Sequence, residues 1–204
     1  MIKLNLGCGT NKLPGWVNID SVAEFKPDLV HDLSDPLPYQ DLSVDEVLAE
    51  DLLEHFDKYT RYFFSIEMTR VLKIGGKIIV QVPNFKRFMW RFLRMKFEDF
   101  VDNLFGETML ASKVYTGHFG THKWGYSPDT LKKYMETFGI AARRVEKREY
   151  NIRYTGEKVK HVTYNDLKDL QVYSYGNDHG VGEATLPLSF IKEKLDLYKK
   201  TNPR

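Results

Sequence analysis

Two glycines and three acidic residues stand at the ends of successive predicted strands, a spacing that suggests a site for a small ligand. Gly7 and Gly9 interrupt an apolar-alternating run within ten residues of the start. Glycine suits such a turn because it tolerates positive φ and because a Cβ would obstruct a ligand against the backbone. Asp20, Asp32 and Glu50 close the next predicted strands. Ligands of open α/β sheets collect at these strand ends, so the pattern predicts a binding site there.

The glycine turn departs from a dinucleotide-binding fingerprint. Lys12 occupies the place of the third glycine in Gly-x-Gly-x-x-Gly. Segment 10–15 contains Pro-Gly and is too short for a crossover helix, whose N-terminus would bind a pyrophosphate. A ligand without phosphates is therefore favoured over NAD or FAD, and S-adenosylmethionine fits that description. Asp20 could accept hydrogen bonds from both ribose hydroxyls of this ligand, or it could only cap a strand end.

Three histidines are candidates for acid–base chemistry near neutral pH, namely His55, His118 and His122. The last two lie in a loop over 115–126, rich in glycine and aromatic residues, that could close over a cofactor. We expect no metal site, because Gly120 argues against a helix there and no Cys, Asp or Glu joins the two in a ligand pattern. Each histidine could also be purely structural, and His55 then marks a helix start near the pocket.

The whole chain has the size and composition of one α/β domain. It contains 204 residues, 42% of them apolar, and its formal net charge is +2. That charge gives no argument for a nucleic-acid or membrane partner. Cys8 is the single cysteine, so an intrachain disulfide is excluded and a reducing compartment is indicated. Without a leader pattern or the ~18 apolar residues of a membrane span, we expect a cytoplasmic protein.

Hydrophobic periodicity predicts the elements that position these residues. In the first half, strands are predicted over 2–7, 16–20, 28–33, 46–50 and 77–82, the last with an unbroken apolar centre that predicts burial on both faces. A helix is predicted over 58–73, beginning at Asp57 as N-cap and ending at Gly75-Gly76. Its apolar stripe consists of Phe64, Met68, Val71 and Leu72.

The second half is less regular. An aromatic and basic stretch over 85–105 is predicted as an amphipathic helix that packs on the sheet or over the cofactor, with a lid for an anionic substrate as an alternative. Ser127 as N-cap and Pro128 begin a helix that ends at Phe138. A strand is predicted over 140–149 and a loop or short hairpin over 151–169. A further strand over 170–175 is predicted to pair with the strand over 140–149 at the sheet edge, and a terminal helix follows over 187–200.

These motifs together resemble the class I S-adenosylmethionine-dependent methyltransferases, in their small type 11 branch. The matching segments are LNLGCG at 4–9, GWVNID at 15–20, HDL at 31–33, PLP at 36–38, LEH at 53–55 and RVLKIGG at 70–76. Each is weak alone, but the six occur in order and in register over about 2–84. The resemblance implies an α/β fold with a doubly wound, mainly parallel seven-stranded sheet and an antiparallel last strand.

The resemblance also implies which residues bind S-adenosylmethionine. The backbone of Gly7, Cys8 and Gly9 would lie against the methionine and ribose, and Asp20 would bind the ribose. Asp32 and Leu33 would contact the adenine amine and ring, and Glu50 would lie near the transferable methyl. Lys12 is placed against the methionine carboxylate by its charge alone, and Leu6 joins the set as well. The predicted cofactor-binding residues are Leu6, Gly7, Cys8, Gly9, Lys12, Asp20, Asp32, Leu33 and Glu50. The chain departs from the family at Asn11, a common glycine, and at Ile74, a common proline.

The predicted organisation is a single domain over 1–204, with a cofactor-binding half at 1–84, a lid or acceptor-site insertion at 85–126 and a sheet-completing half at 127–204. The predicted function is methyl transfer to a small-molecule or sugar-like acceptor. One alternative is a nucleic-acid or protein methyltransferase that uses the basic aromatic stretch 86–96, although the acidic Glu98 and Asp99 follow at once. The other is a cofactor-binding or interaction module without catalysis.

Overall fold

A computed structural model describes residues 1–92, 94, 96, 122–162, 171–175, 181–185, 193–194, 196–197 and 200. Its main sheet has seven strands: β1 (Lys3–Leu6), β2 (Val17–Asp20), β3 (Leu29–Val30), β4 (Val44–Glu50), β5 (Leu72–Pro83), β6 (Ile140–Lys147) and β7 (Asn151–Lys158). The helices are α1 (Lys58–Val71), α2 (Phe85–Phe92) and α3 (Pro128–Thr137), with 3-10 turns at Ala23–Phe25 and Leu53–His55. A separate hairpin pairs β8 (Gln171–Tyr175) with β9 (Val181–Thr185).

The sheet has the strand order β3-β2-β1-β4-β5-β7-β6. Its first five strands pair in parallel, and β7 lies antiparallel between β5 and β6. The carboxyl ends of β1, β2 and β4 therefore meet at one edge, where Gly7, Asp20 and Glu50 follow or close the strands. This architecture confirms the predicted fold class.

The prediction of the seventh strand was wrong. The predicted strand 170–175 corresponds to β8 (Gln171–Tyr175), which pairs locally with the strand that follows it instead of joining the main sheet. The seventh strand is β7, inside the stretch 151–169 that the sequence analysis assigned to a loop or short hairpin. Its polar composition is misleading because only one face is buried: Ile152 and Tyr154 point to the core, and Arg153 lies on the opposite face.

The link between β1 and β2 contains no helix, as its length predicts. Buried amides organise it instead. Asn5 Nδ2 donates to Asn18 Oδ1 at 2.9 Å and to the Asn11 carbonyl at 2.9 Å. Asn18 Oδ1 also accepts from the Leu13 amide at 2.8 Å, and Asn18 Nδ2 donates to Asp28 at 2.7 Å. Side-chain hydrogen bonds thus replace the crossover helix and fix the glycine turn against the sheet.

Helix α1 begins as predicted, with the Asp57 carboxylate accepting from the amides of Tyr59 and Thr60 at 2.9 and 3.0 Å. It ends earlier than predicted, because Leu72 is already extended and starts β5; Gly75 and Gly76 lie within that strand. The predicted stripe of Phe64, Met68, Val71 and Leu72 is fully buried, and every residue from Arg61 to Val71 is buried as well. From Arg61 onward the helix is therefore enclosed on all sides.

Helices α1 and α3 share one core with the sheet, in which Phe64 and Leu131 pack with strand residues such as Val47 and Ile78. Strand β5 is buried on one face only, against expectation, since Lys77 is exposed and Ile79 is half-buried. Helix α2 confirms a helix in the aromatic stretch, and α3 begins at the predicted N-cap Ser127, which forms a capping box with Thr130.

The proposed lid at 85–126 and the terminal helix at 187–200 fall largely outside the described residues, and so does His118. Within the described part, no helix has the length and apolar character needed to cross a membrane.

Candidate active site

The glycine turn after β1 has two glycines with distinct requirements. Gly7 has a φ of 65° and Gly9 a φ of 48°, both in the region that favours glycine. A Cβ on Gly7 would lie 2.8 Å from Cδ1 of Leu52, so this turn packs against the segment that follows β4. A Cβ on Gly9 would meet no atom within 4 Å. Gly9 thus borders open space, as a cradle for a ligand requires.

Asp20 is the best organised of the predicted ligand-binding side chains. Its carboxylate is 7% exposed and accepts hydrogen bonds from the amides of Gly9 and Val22 at 2.8 and 2.9 Å. These two donors hold the carboxylate at the end of β2, next to the glycine turn. Because each carboxylate oxygen accepts more than one hydrogen bond, both retain acceptor capacity for a pair of hydroxyls.

The other predicted cofactor residues on β1 and its turn contribute through backbone or by position. Leu6 is fully buried in the core. The amides of Gly7 and Cys8 donate to the Ile19 carbonyl at 2.9 and 3.1 Å, which ties the turn to β2. Burial, followed by the nearby Asp20 charge, raises the pKa of the Cys8 thiol, so the thiol is protonated at neutral pH. Lys12 Nζ lies 3.3 Å from the Lys26 carbonyl.

The two residues predicted to contact adenine differ in exposure. Asp32 is exposed, and its Oδ1 accepts from the Ser34 amide at 2.8 Å. Leu33 is only 5% exposed and belongs to the hydrophobic core, which leaves it little free surface for a ring. The positions follow β3, whose neighbour His31 donates its amide to the Asp20 carbonyl at 2.9 Å.

Side chains from three strands interlock where β4 ends. Glu50 forms an ion pair with Arg153 of β7. The next residue, Asp51, has a φ of 49°, and its carboxylate accepts from Gln81 and Asn151 at 3.1 Å each. Positive φ in a residue other than glycine occurs preferentially at functional sites. The chain turns sharply here and leads into the 3-10 turn Leu53–His55.

A cluster of Glu54, His55 and His122 follows this turn. Glu54 is 1% exposed, and burial, with the Asp51 charge adding to it, raises the pKa of its carboxyl well above the usual range. His55 Nε2 lies 3.9 Å from Glu54 Oε1, and the ring centroids of His55 and His122 are 4.9 Å apart. The amides of Lys123 and Trp124 both donate to the Glu54 carbonyl, at 2.7 and 3.2 Å, and this clip places His122 beside His55.

Arg61 lies buried next to this cluster, in the first turn of α1. Its guanidinium carbon is 3.8 Å from the Trp124 ring centroid and 5.9 Å from that of Tyr126. Within the described residues, Arg61 Nε and Nη1 and the Tyr126 hydroxyl have no hydrogen-bond partner. The charges of both Glu54 and Arg61 act on the Tyr126 hydroxyl, so the three polar groups share one buried neighbourhood.

The structure brings His55 and His122 together and leaves His118 outside the described residues. Sequence reasoning quoted the motif containing Glu54 but assigned it no role, and it passed over Asp51 and Arg61. One signal was available for Asp51 and Glu54: Asp51 directly follows β4 and Glu54 lies in the next turn, at the same edge as the other strand-end acids. Arg61 gave no signal, because an arginine in a helix is ordinarily exposed.

Comparison with known proteins identifies the class. Residues 17–80 match the model of a family described as a methyltransferase domain. No curated protein matches the chain. A protein of Pyrococcus horikoshii OT3 has the same fold, with a TM-score of 0.56 at 16% identity over 76% of this chain and 81% of that one.

Two further solved structures share the fold. The 1,6-didemethyltoxoflavin-N1-methyltransferase of Burkholderia thailandensis, solved with 1,6-didemethyltoxoflavin and S-adenosylhomocysteine, has a TM-score of 0.53 at 10% identity, over 78% of this chain and 71% of that one. An S-adenosylmethionine-dependent methyltransferase of Methanosarcina mazei has a TM-score of 0.53 at 15% identity, over 77% of this chain and 92% of that one.

The family match and the strand order of the sheet together confirm the resemblance seen in the sequence. The family match covers residues 17–80, so this segment of the chain is similar to a methyltransferase domain, and the wider chain shares the fold of the solved methyltransferases. Its enzyme class and its cofactor, S-adenosylmethionine, are confirmed at the level of this family. The acceptor is a separate question, because identities this low carry the fold and nothing finer.

Proposed function

We propose that this chain transfers the methyl group of S-adenosylmethionine to a small-molecule or sugar-like acceptor at the carboxyl edge of its sheet. The observation that carries the proposal is the Asp20 carboxylate, held by the amides of Gly9 and Val22 beside an open glycine turn. A buried carboxylate with spare acceptor capacity fits the paired hydroxyls of a ribose. No helix N-terminus stands at this turn to receive a pyrophosphate.

Other predicted residues follow or close neighbouring strands at the same edge of the sheet. The turn of Gly7, Cys8 and Gly9 provides a backbone wall without side-chain bulk, and Asp32 follows β3 at the adenine end. Glu50, oriented by Arg153, stands at the end of β4 on the methionine side. When bound, the cofactor supplies a methyl group already activated by its sulfonium. The protein's own task is therefore mainly to align the acceptor with that methyl carbon.

The acceptor side lies next to the glycine turn, because Leu52 contacts Gly7 and His55 follows three residues later. His55 and His122 are the candidates for removing a proton from an acceptor that must lose one, such as an alcohol. The fold neighbour from Burkholderia thailandensis acts on a small molecule by its name, which is compatible with a small-molecule acceptor.

The basic aromatic stretch keeps a nucleic-acid acceptor as a second candidate. Trp90 is 71% exposed, and Lys86, Arg87, Arg94 and Lys96 are exposed along the same stretch. Exposed aromatic and basic side chains can stack on bases and bind phosphates. An affinity for single-stranded RNA that falls steeply with salt would support this candidate.

The first test is calorimetry with S-adenosylhomocysteine. Asp20→Ala should weaken binding by about 1–3 kcal/mol, because it removes a carboxylate that bonds two hydroxyls. Asp35→Ala is a matched control on the same loop system, since Asp35 pairs with Lys194 away from the turn. Binding of NAD in place of S-adenosylhomocysteine would contradict the proposal. Screening small hydroxylated acceptors for S-adenosylhomocysteine release then tests the acceptor class.

A further inference from the structure

The proposed function uses His55 and His122 as candidate bases and gives Glu54 no role, yet the three side chains together form a possible metal-ligand set. One carboxylate oxygen and one nitrogen from each imidazole lie within 4.8 Å of one another. Donors bound to a single zinc ion lie about 3–4 Å apart, given metal–ligand bonds of about 2.0–2.2 Å. The donor atoms of the cluster thus lie close to this spacing, and small side-chain rotations would bring them to it.

A second observation points to a ligand. Both carboxylate oxygens of Glu54 are buried, and no other described residue donates a hydrogen bond to either one; only the amide of Glu54 itself acts on its carboxyl. An unpartnered buried carboxylate carries a desolvation cost that a bound cation would offset. His55 Nε2, at 3.9 Å from Oε1, is too far away to satisfy it by a hydrogen bond.

The surroundings favour a positive ion. The charge of Asp51 acts on Glu54, and Asp51 in turn lies close enough to His122 for the two to interact electrostatically. Asp51 is held in place by Gln81 and Asn151, so it is oriented from outside the cluster. It can therefore serve as a further oxygen ligand or as a partner that orients a histidine ligand.

We propose that Glu54, His55 and His122 bind a divalent transition-metal cation of the Zn²⁺ class. Two imidazoles and one carboxylate form a ligand set that zinc and its neighbours in the first transition row accept. Mg²⁺ and Ca²⁺ fit less well, because they prefer oxygen ligands throughout. Three protein ligands leave positions for a substrate atom.

The role of this cation in the reaction rests on the proposed function. A hydroxyl of the acceptor that coordinates to the cation has a lowered pKa and loses its proton to solvent. Its oxygen then forms a bond to the methyl carbon, while the electron pair of the carbon–sulfur bond leaves with the sulfur. The products are the methyl ether, S-adenosylhomocysteine and one proton. The site thereby selects oxygen nucleophiles, and the two histidines act as ligands instead of bases.

The test is a calorimetric titration of the cofactor-free chain with ZnCl₂. We expect one ion per chain, and an affinity reduced at least ten-fold by Glu54→Gln, His55→Ala and His122→Ala separately. Glu54→Gln is the decisive variant, since it keeps the shape of the side chain while removing its charge. His161→Ala is the matched control, because His161 lies beside Lys158 at the far end of α1. Thermal unfolding of each variant reports whether it is folded.

Two results would overturn the proposal: no zinc binding, or binding that is unchanged in Glu54→Gln. The second result would mean that zinc binds other histidines and that Glu54 serves only its buried neighbours, such as Arg61. Binding of S-adenosylhomocysteine in the presence of a chelator separates the two proposals. If it persists without zinc binding, the metal site alone fails; if it is absent, the proposed function fails independently.

Discussion

The two ends of helix α1 differ in how far their buried charged groups are hydrogen-bonded. At its C-terminal end, Arg70 donates to Glu67 through Nε at 2.7 Å and through Nη2 at 2.8 Å. The same guanidinium also bonds the carbonyls of Leu37 and Tyr39. At its N-terminal end, Arg61 and the nearby Glu54 keep buried polar atoms that no described residue bonds.

The contrast separates two uses of the same residue types. The Glu67–Arg70 pair fixes the loop after β3 to the helix, since Glu67 also accepts from the Leu37 amide at 2.8 Å. Its bonds are complete, so it has a structural role. Among the described residues, the Glu54–Arg61 neighbourhood has polar atoms without hydrogen bonds, which is expected of groups that await a ligand. Both ends lie in one buried helix, and so burial alone does not account for the difference.

The largest expected effect comes from breaking the complete end. Arg70→Met should lower the free energy of unfolding by about 3–5 kcal/mol, because it leaves the Glu67 carboxylate buried without its cation. Arg61→Met is the paired variant, and it should change stability by no more than about 1 kcal/mol, since it removes unbonded donors and keeps the stem. Urea unfolding of both variants measures the difference. Equal losses would show that the two ends are alike.

Lys158 is a further buried charged group beside the C-terminal end of α1, and its effect on stability should depend on pH. Its ammonium donates to the Leu72 carbonyl at 2.7 Å and to that of Thr69, and burial lowers its pKa from 10.5 to about 8. Lys158→Met should cost about 2 kcal/mol at neutral pH by leaving these carbonyls unpaired.

The sign of the pH dependence follows from the lowered pKa. Between about pH 8 and 10 the unfolded chain binds the proton that the folded chain has lost, so wild-type stability rises there by up to about 1.4 kcal/mol per pH unit from this group. The stability gap between wild type and Lys158→Met should therefore widen over that window. Unfolding curves collected at several pH values measure it, and a constant gap would contradict the assignment.

Glu54→Gln should have the smallest effect on stability. In metal-free protein it removes an unpaired buried carboxylate, so the free energy of unfolding should stay within about 1 kcal/mol of wild type or increase. Glu67→Gln is the matched change at the other end of the helix and should destabilise, because its carboxylate bonds Arg70 and Leu37. A large loss on Glu54→Gln would show that its oxygens are bonded after all.

Much of the fold follows from local sequence signals. The glycine turn, the strand-end acids and the Asp57 cap each depend on a few adjacent residues, and their positions were predicted well. Strand β7 was missed because a strand with one buried face and charged residues on the other resembles a loop in composition.

The residues of the candidate site likewise differ in how far local sequence could predict them. Asp20 could be predicted because it closes a strand, although its bonds to Gly9 and Val22 could not. His122 lies far along the chain from His55, and only the backbone clip to Glu54 brings the two rings together. Pairing of that kind depends on the path of the chain between them, which periodicity does not encode.

The clip itself has a consequence for how this enzyme can change. Lys123 and Trp124 are held by their amides, which every residue but proline possesses, and the neighbouring Tyr126 pairs with Asn84 through the backbone. The location of position 122 is thus independent of the side chain that occupies it. A single substitution there can exchange an imidazole for a carboxylate, an amide or an alcohol without rebuilding the scaffold. Under the proposed function, position 122 is accordingly where acceptor chemistry can diversify at little structural risk.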